Sequence, residues 1–250
     1  MFRRWLDGWT DRRAVAPIVA ELAGTFMFFF IGMGSVATLE RASNSGVQLD
    51  GAAGLIVIAL AHGIVLAVLV SALGVISGAH FNPAVTFGVW LAGKMAWRRA
   101  AAYVVAQLIG AVLAGLALRV IFTALASNDL GTPALGPGID AGTGILVETI
   151  LTVILLTAVF GTAIDLRAPK LGGLAIGFAV AADILMGGPL TGAAMNPARW
   201  FGPAVVTGLL DNWYVWIIGP LLGAAIVALA YRFLFDPEAR MNEAPAEPTA

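Results

Sequence analysis

Two short stretches of the 250-residue sequence place polar groups in otherwise apolar surroundings: SGAHFNPAVT, Ser77 to Thr86, and TGAAMNPARW, Thr191 to Trp200. Each holds an Asn-Pro-Ala triplet, Asn82, Pro83, Ala84 in the first and Asn196, Pro197, Ala198 in the second. Asparagine is a preferred helix N-cap. Proline suits the first helical turn, where no donor is needed and φ is already set. Each triplet therefore reads as a helix start inside an apolar segment. A helix N-terminus carries roughly half a positive charge, and the asparagine amide beside it can donate to a passing oxygen. This is chemistry for orienting small polar molecules and opposing cations, and it breaks no bonds.

Few other residues compete for a chemical role. The chain has no cysteine, which removes disulfides, thiolate metal sites and cysteine nucleophiles. Its two histidines, His62 and His80, have neither metal-ligand spacing nor a carboxylate cluster. No metal, no cofactor and no enzymatic activity are expected. Arg199 directly follows the second triplet, and a charge at membrane depth is a functional hypothesis by default. Glu21 and Glu148 each lie early in an apolar run. Such a pair suits either a proton relay in a coupled transporter or acceptors for irregular backbone. Asp183 is a further carboxylate in or beside an apolar run.

The elements that must position these groups are membrane helices. Hydrophobic residues make up 60% of the chain and charged ones 12%, against about 45–50% and about 25% in soluble domains. Near-zero net charge gives no reason to expect a nucleic-acid partner. Six stretches approach the ~20 apolar residues of a spanning helix: about 14–37, 52–74, 100–122, 142–164, 171–188 and 212–235. Two more, about 82–93 and 196–207, are half that length and begin at the triplets. The apolar run behind MFRRWLDGWTDRR is too long for a signal peptide. Orientation follows the basic residues. With the N-terminus in the cytoplasm, Arg3, Arg4, Arg12, Arg13, Lys94, Arg98, Arg99, Arg167, Lys170, Arg232 and Arg240 fall inside. Arg41 falls outside, and Arg119 lies near an outer helix end. Trp5, Trp9, Trp90 and Trp97 then mark the inner interface, and Trp200, Trp213 and Trp216 the outer one. Both termini are cytoplasmic.

A polar linker at about 124–141 separates repeat one (about 14–123) from repeat two (about 142–235), within a single domain over 1–236; residues 237–250 read as a disordered cytoplasmic tail. Three spans per repeat make the second enter the membrane inverted. AELAGTFMFFF (Ala20 to Phe30) and VETILTVILL (Val147 to Leu156) open the two halves alike. Inverted repeats with broken helices are a transport-pathway signature. The fold class is an all-α membrane protein of six transmembrane helices and two re-entrant half-helices.

With its paired triplets, AQLIGAVLAG (Ala106 to Gly115) and MNPARWFGPAVV (Met195 to Val206), the sequence resembles the aquaporin, or major intrinsic protein, family over about 14–235. The resemblance implies one pore per subunit and a homotetramer in a lipid bilayer, expected in the plasma (cell inner) membrane. It implies that Glu21, Glu148 and Gln107 support the re-entrant loops. Offsets from the two asparagines carry the family's filter positions onto His62, Ile184, Ala193 and Arg199. That quartet is similar to those of plant tonoplast intrinsic proteins and the ammonia-permeable mammalian aquaporin. It implies a passive channel for water and small neutral solutes (ammonia, hydrogen peroxide, urea) that excludes protons and ions. The alternatives are a glycerol facilitator, which normally has Asp where this chain has Trp200, and an ion-coupled secondary transporter.

Overall fold

The computed structural model describes residues 12–46, 51–123, 129–165, 167–169 and 171–236. Expectations for Arg3, Arg4, Trp5, Trp9, Lys170, Arg240, the 237–250 tail and linker residues 124–128 lie outside the described residues. Among those described there are eight α-helices and no strand. They are α1 (Arg12–Asn44), α2 (Gly51–Ser77), α3 (Pro83–Leu91), α4 (Trp97–Ile121), α5 (Ala141–Val159), α6 (Leu174–Thr191), α7 (Pro197–Thr207) and α8 (Val215–Ala230). A wide π-type turn extends α5 over Phe160–Ile164 and another extends α8 over Tyr231–Phe235. The six longer helices, α5 and α8 with their extensions, are long and apolar enough to cross a membrane.

Helix starts follow the sequence closely and helix ends less so. Asn82 and Asn196 are both extended N-caps, with φ −155° and −154°, and their side chains accept from Ala84 N and Ala198 N. The following prolines open α3 and α7. α3 is shorter than the 82–93 expected, because Gly93 turns into the left-handed region at φ 78° and stops it. Nine and eleven residues make rods of about 14 and 17 Å, which end to end match the roughly 30 Å hydrocarbon core. α1 runs seven residues past its expected end, from 37 to Asn44, since a helix can continue into the polar interface. α6 passes through Pro189 to Thr191, although the ring has no N–H for the bond to the carbonyl four residues back.

The two halves pack by the same plan. α1 packs on α2 and α4, as α5 packs on α6 and α8. Each half-helix lies on the last helix of its own repeat, α3 on α4 and α7 on α8. The repeats then interlock: α2 on α6, α3 on α8, α4 on α7, and α3 meets α7. Small residues set the tightest crossings. A Cβ on Gly177 would lie 2.3 Å from the Gly63 carbonyl oxygen, and one on Gly223 would lie 2.5 Å from that of Thr149. Burial at these crossings places an apolar core around the re-entrant loops, with Phe29, Met33, Leu118, Leu151 and Leu156 essentially inaccessible.

Two tryptophan expectations are corrected. Trp200 and Trp216 are buried, not interfacial, and stack 5.8 Å apart and nearly parallel. Their indole bodies fill the gap between α7 and α8, where no interface reaches them. Trp90, Trp97 and Trp213 are exposed, as an interfacial position requires.

Candidate functional site

The re-entrant loops are built from strained backbone held by carboxylates. Ala79 and Phe81 in the first loop, and Ala193 and Met195 in the second, have φ between 44° and 52°. These residues stand three and one before each asparagine, and none is glycine. A left-handed conformation costs an L-residue roughly 1–2 kcal/mol, so neighbouring bonds must hold it. Glu21 supplies them on one side. Its Oε1 accepts from Ser77 Oγ (2.6 Å) and His80 N (2.9 Å), and its Oε2 from Phe81 N (2.7 Å) and Gln107 Nε2 (2.8 Å). Glu148 does the same opposite. Its Oε1 accepts from Thr191 Oγ1 (2.7 Å) and Ala194 N (2.9 Å), and its Oε2 from Met195 N (2.6 Å). Both glutamates are fully buried. Gln107 also donates to Thr86 Oγ1 at 2.9 Å.

Four further residues of this frame escaped sequence reasoning. Ser77 and Thr191 each stand five before an asparagine and donate to the glutamate of their own repeat. Tyr103 donates its hydroxyl to Ser77 O at 2.9 Å, and Trp216 its indole N–H to Thr191 O at 3.0 Å. The repeated hydroxyl at a fixed offset was a signal the sequence carried. The Tyr–Trp correspondence was not, because the two residue types differ.

The asparagines then tie the loops together. Asn82 Nδ2 donates to Met195 O at 2.9 Å, and Asn196 Nδ2 donates to Phe81 O at 3.0 Å. Each amide thus caps its own helix through oxygen and binds the other repeat through nitrogen. One N–H per asparagine remains.

A cavity of about 360 Å³ runs past this junction. It extends from Gly74 and Val75 near the end of α2, and Thr162 to Ile164 after α5, to His62, Ile184, Ala193 and Arg199. All four residues carried over by resemblance therefore line one space, together with Asn82 and Asn196. Arg199 is 6% exposed, and its Nη1 has no partner among the described residues. His62 lines the cavity without offering it a nitrogen. Its Nδ1 donates to Ile58 O at 2.9 Å, and its Nε2 is inaccessible and unpartnered among the described residues. His80 packs edge-on to Tyr103 and bonds Thr86 Oγ1 through Nδ1, and it lines the cavity as well. Asp183 is buried but is not part of the lining.

A family model described as Major intrinsic protein matches residues 9–231. The chain belongs to the major intrinsic protein family. It is 43% identical over 244 residues to Aquaporin TIP4-4 of Zea mays, covering 96% of this chain and 94% of that protein. It is 41% identical to Probable aquaporin TIP3-2 of Arabidopsis thaliana, over 97% of this chain and 91% of the relative. Similarity reaches Aquaporin NIP1-1 of Zea mays at 38% identity, over 88% of this chain and 75% of that one. The fold is that of the aquaglyceroporin from Plasmodium falciparum, with TM-score 0.76 at 24% identity, covering 91% of this chain and 99% of the other. In this major intrinsic protein the paired loops and their glutamates form one continuous hydrogen-bonded unit across both repeats, and the cavity runs past it.

At the end of the molecule bearing the basic residues, a polar network ties loops to the last helix. Lys94 pairs with Asp236 at 2.8 Å, and Arg232 donates to Leu91 O at 3.2 Å. Arg167 binds Asp165 and also Phe235 O at 3.1 Å. The Arg167 hydrogen bonds hold the Asp165 carboxyl well below its usual range, at about 2.

Proposed function

We propose that this major intrinsic protein is a passive channel for water and small neutral solutes, among them ammonia, hydrogen peroxide and urea. The carrying observation is the single cavity that passes both asparagines and reaches His62, Ile184, Ala193 and Arg199. A molecule in that space meets one free N–H from each asparagine, and the N-termini of α3 and α7. Two facing helix starts, each with roughly half a positive charge, repel cations and hydronium. Arg199 adds a full charge at the same lining. A neutral solute meets no such barrier, and its oxygen is oriented by the asparagine donors, which interrupts a proton-conducting chain. Ile184 and Ala193 leave one wall apolar and narrow in bulk.

Glutamates engaged by four and three donors favour the scaffold reading over a proton relay. This lowers the case for an ion-coupled transporter. Glycerol permeation has less support than water, because Trp200 occupies the place where glycerol channels carry Asp, and it stacks on Trp216 away from the lining. The working assembly is a homotetramer in a lipid bilayer, with both termini on the cytoplasmic, basic side. The TIP-type relatives lend no support to the plasma membrane in particular, so the proposal extends to an integral membrane location alone.

Stopped-flow osmotic shrinkage of reconstituted vesicles tests the water reading, and internal pH on ammonium exposure tests ammonia. Native protein accelerates both. Unaccelerated water flow through folded protein would overturn the proposal.

A further inference from the structure

The wall behind His62 is a notch in α1. A Cβ built on Gly32 would lie 2.4 Å from His62 Nε2 and 2.6 Å from its Cδ2. The ring tip therefore rests against bare glycine backbone. Its Nδ1 is tethered to Ile58 O on its own helix, and Phe28 stands edge-on to it at 6.0 Å. A carbonyl only accepts, so Nδ1 carries a proton, and the Nε2 edge of the ring packs against the Gly32 CH₂ group.

We propose that Gly32 is a specificity-determining position of the channel: by receiving the His62 ring in α1 it keeps that ring out of the permeation path. Gly32 itself does not line the cavity, so its effect passes wholly through the histidine. The inference rests on the channel reading above. With alanine at 32, the ring must retreat by about 1 Å to restore a normal contact of about 3.5 Å. Helix α1 blocks one side and Phe28 another. The cavity that His62 lines is the open direction. A retreat of that size is about a third of the ~2.8 Å width of a water-sized probe.

The test is a cycle of native protein, Gly32→Ala, His62→Ala and the double variant, reconstituted at equal protein and compared by osmotic water flux. Thermal unfolding checks each fold. Gly32→Ala is expected to lower water flux on the order of tenfold, the scale of a methylene-sized misfit. On the His62→Ala background the same change should have no effect on flux. Equal flux in native protein and Gly32→Ala overturns the inference, as does an equal drop in both backgrounds. So does a Gly32→Ala chain that fails to fold while the double variant folds, because the ring then has no room to move toward the cavity. Absence of water flux in native protein instead overturns the channel reading, which separates the two failures.

Discussion

Removing the Glu148 carboxylate should unfasten the second re-entrant loop, and the size of the effect can be worked from its bonds. Glu148 accepts from two backbone N–H groups, Ala194 and Met195, and from the Thr191 hydroxyl. Alanine at 148 orphans both N–H groups, at about 1–3 kcal/mol each, while the hydroxyl can rotate. The left-handed Ala193 and Met195 lose the bonds that hold them, and the strain of roughly 1–2 kcal/mol each is free to relax. Ending the burial of a charge offsets part of the loss. A net destabilisation of about 2–5 kcal/mol is expected, a large share of a typical total of about 5–15 kcal/mol. Glutamine at 148 keeps one acceptor oxygen and sets its NH₂ against one backbone donor. It should therefore cost about 1–3 kcal/mol. The assay is thermal unfolding in detergent of native protein, Glu148→Gln and Glu148→Ala, with osmotic flux alongside. The expected order of stability is native, Gln, Ala, with flux falling in the same order. Two variants as stable as native protein, with altered response to a proton gradient, would refute the scaffold argument and return Glu148 to a relay.

Other bonds make sharper, smaller predictions. Trp216→Phe leaves the Thr191 carbonyl without its donor and should cost about 1 kcal/mol; Trp216→Ala adds a cavity, for about 3–5 kcal/mol in all, both read from thermal unfolding. Gly177→Val puts a Cβ 2.3 Å from the Gly63 carbonyl, so α2 and α6 must part; folded yield and unfolding temperature should drop sharply, whereas Gly161→Ala, with open space at its Cβ, should leave both near native values. Asp165 is held from 3.8 down to about 2, chiefly by Arg167. A depressed carboxyl stabilises above its unfolded value and loses that contribution as pH falls through the folded one. The stability difference between native protein and Asp165→Asn should therefore be flat above pH ~5 and be lost progressively as pH falls to ~1, and it should be small because Arg167 is exposed.

Much of this architecture was legible because the membrane allows few alternatives. Irregular backbone at membrane depth must be buried in protein or line a water-filled cavity, so Asn-Pro in an apolar run already implied a re-entrant helix start, and two copies implied a pair. Glu21 and Glu148 were visible as matching residues, and their hydrogen bonds to the loops favour the scaffold reading over the relay. Positive φ at Ala79, Phe81, Ala193 and Met195 was not visible, since none of those residue types signals it. Trp216 was misplaced for a similar reason: an aromatic near a helix end looks interfacial until the carbonyl it binds is known. Offsets grouped His62 with Ile184, Ala193 and Arg199, with which it lines one cavity, but no spacing could tell which way its ring turns. That depended on a glycine thirty residues away.

The doubled use of each asparagine amide leads to a last prediction. Asn82 Oδ1 accepts from Ala84 N at 2.8 Å while Nδ2 donates to Met195 O at 2.9 Å. Aspartate at 82 keeps the cap but turns its second oxygen toward a carbonyl, acceptor against acceptor. The cross-repeat bond is lost, at about 1 kcal/mol, and Asn196 to Phe81 O must hold the loops alone. Electrostatics change more. A full negative charge beside the start of α3 outweighs its half positive one. For a monovalent cation at ~6 Å and an effective dielectric of ~20, that attraction is about 3 kcal/mol, on the order of a hundredfold in barrier crossing. Asn82→Asp vesicles under an imposed potential should therefore leak protons or sodium where native vesicles do not, while osmotic water flux persists. If the variant conducts water normally and stays cation-tight, the positive centre formed by the helix starts is not what excludes ions, and the barrier must lie instead at Arg199.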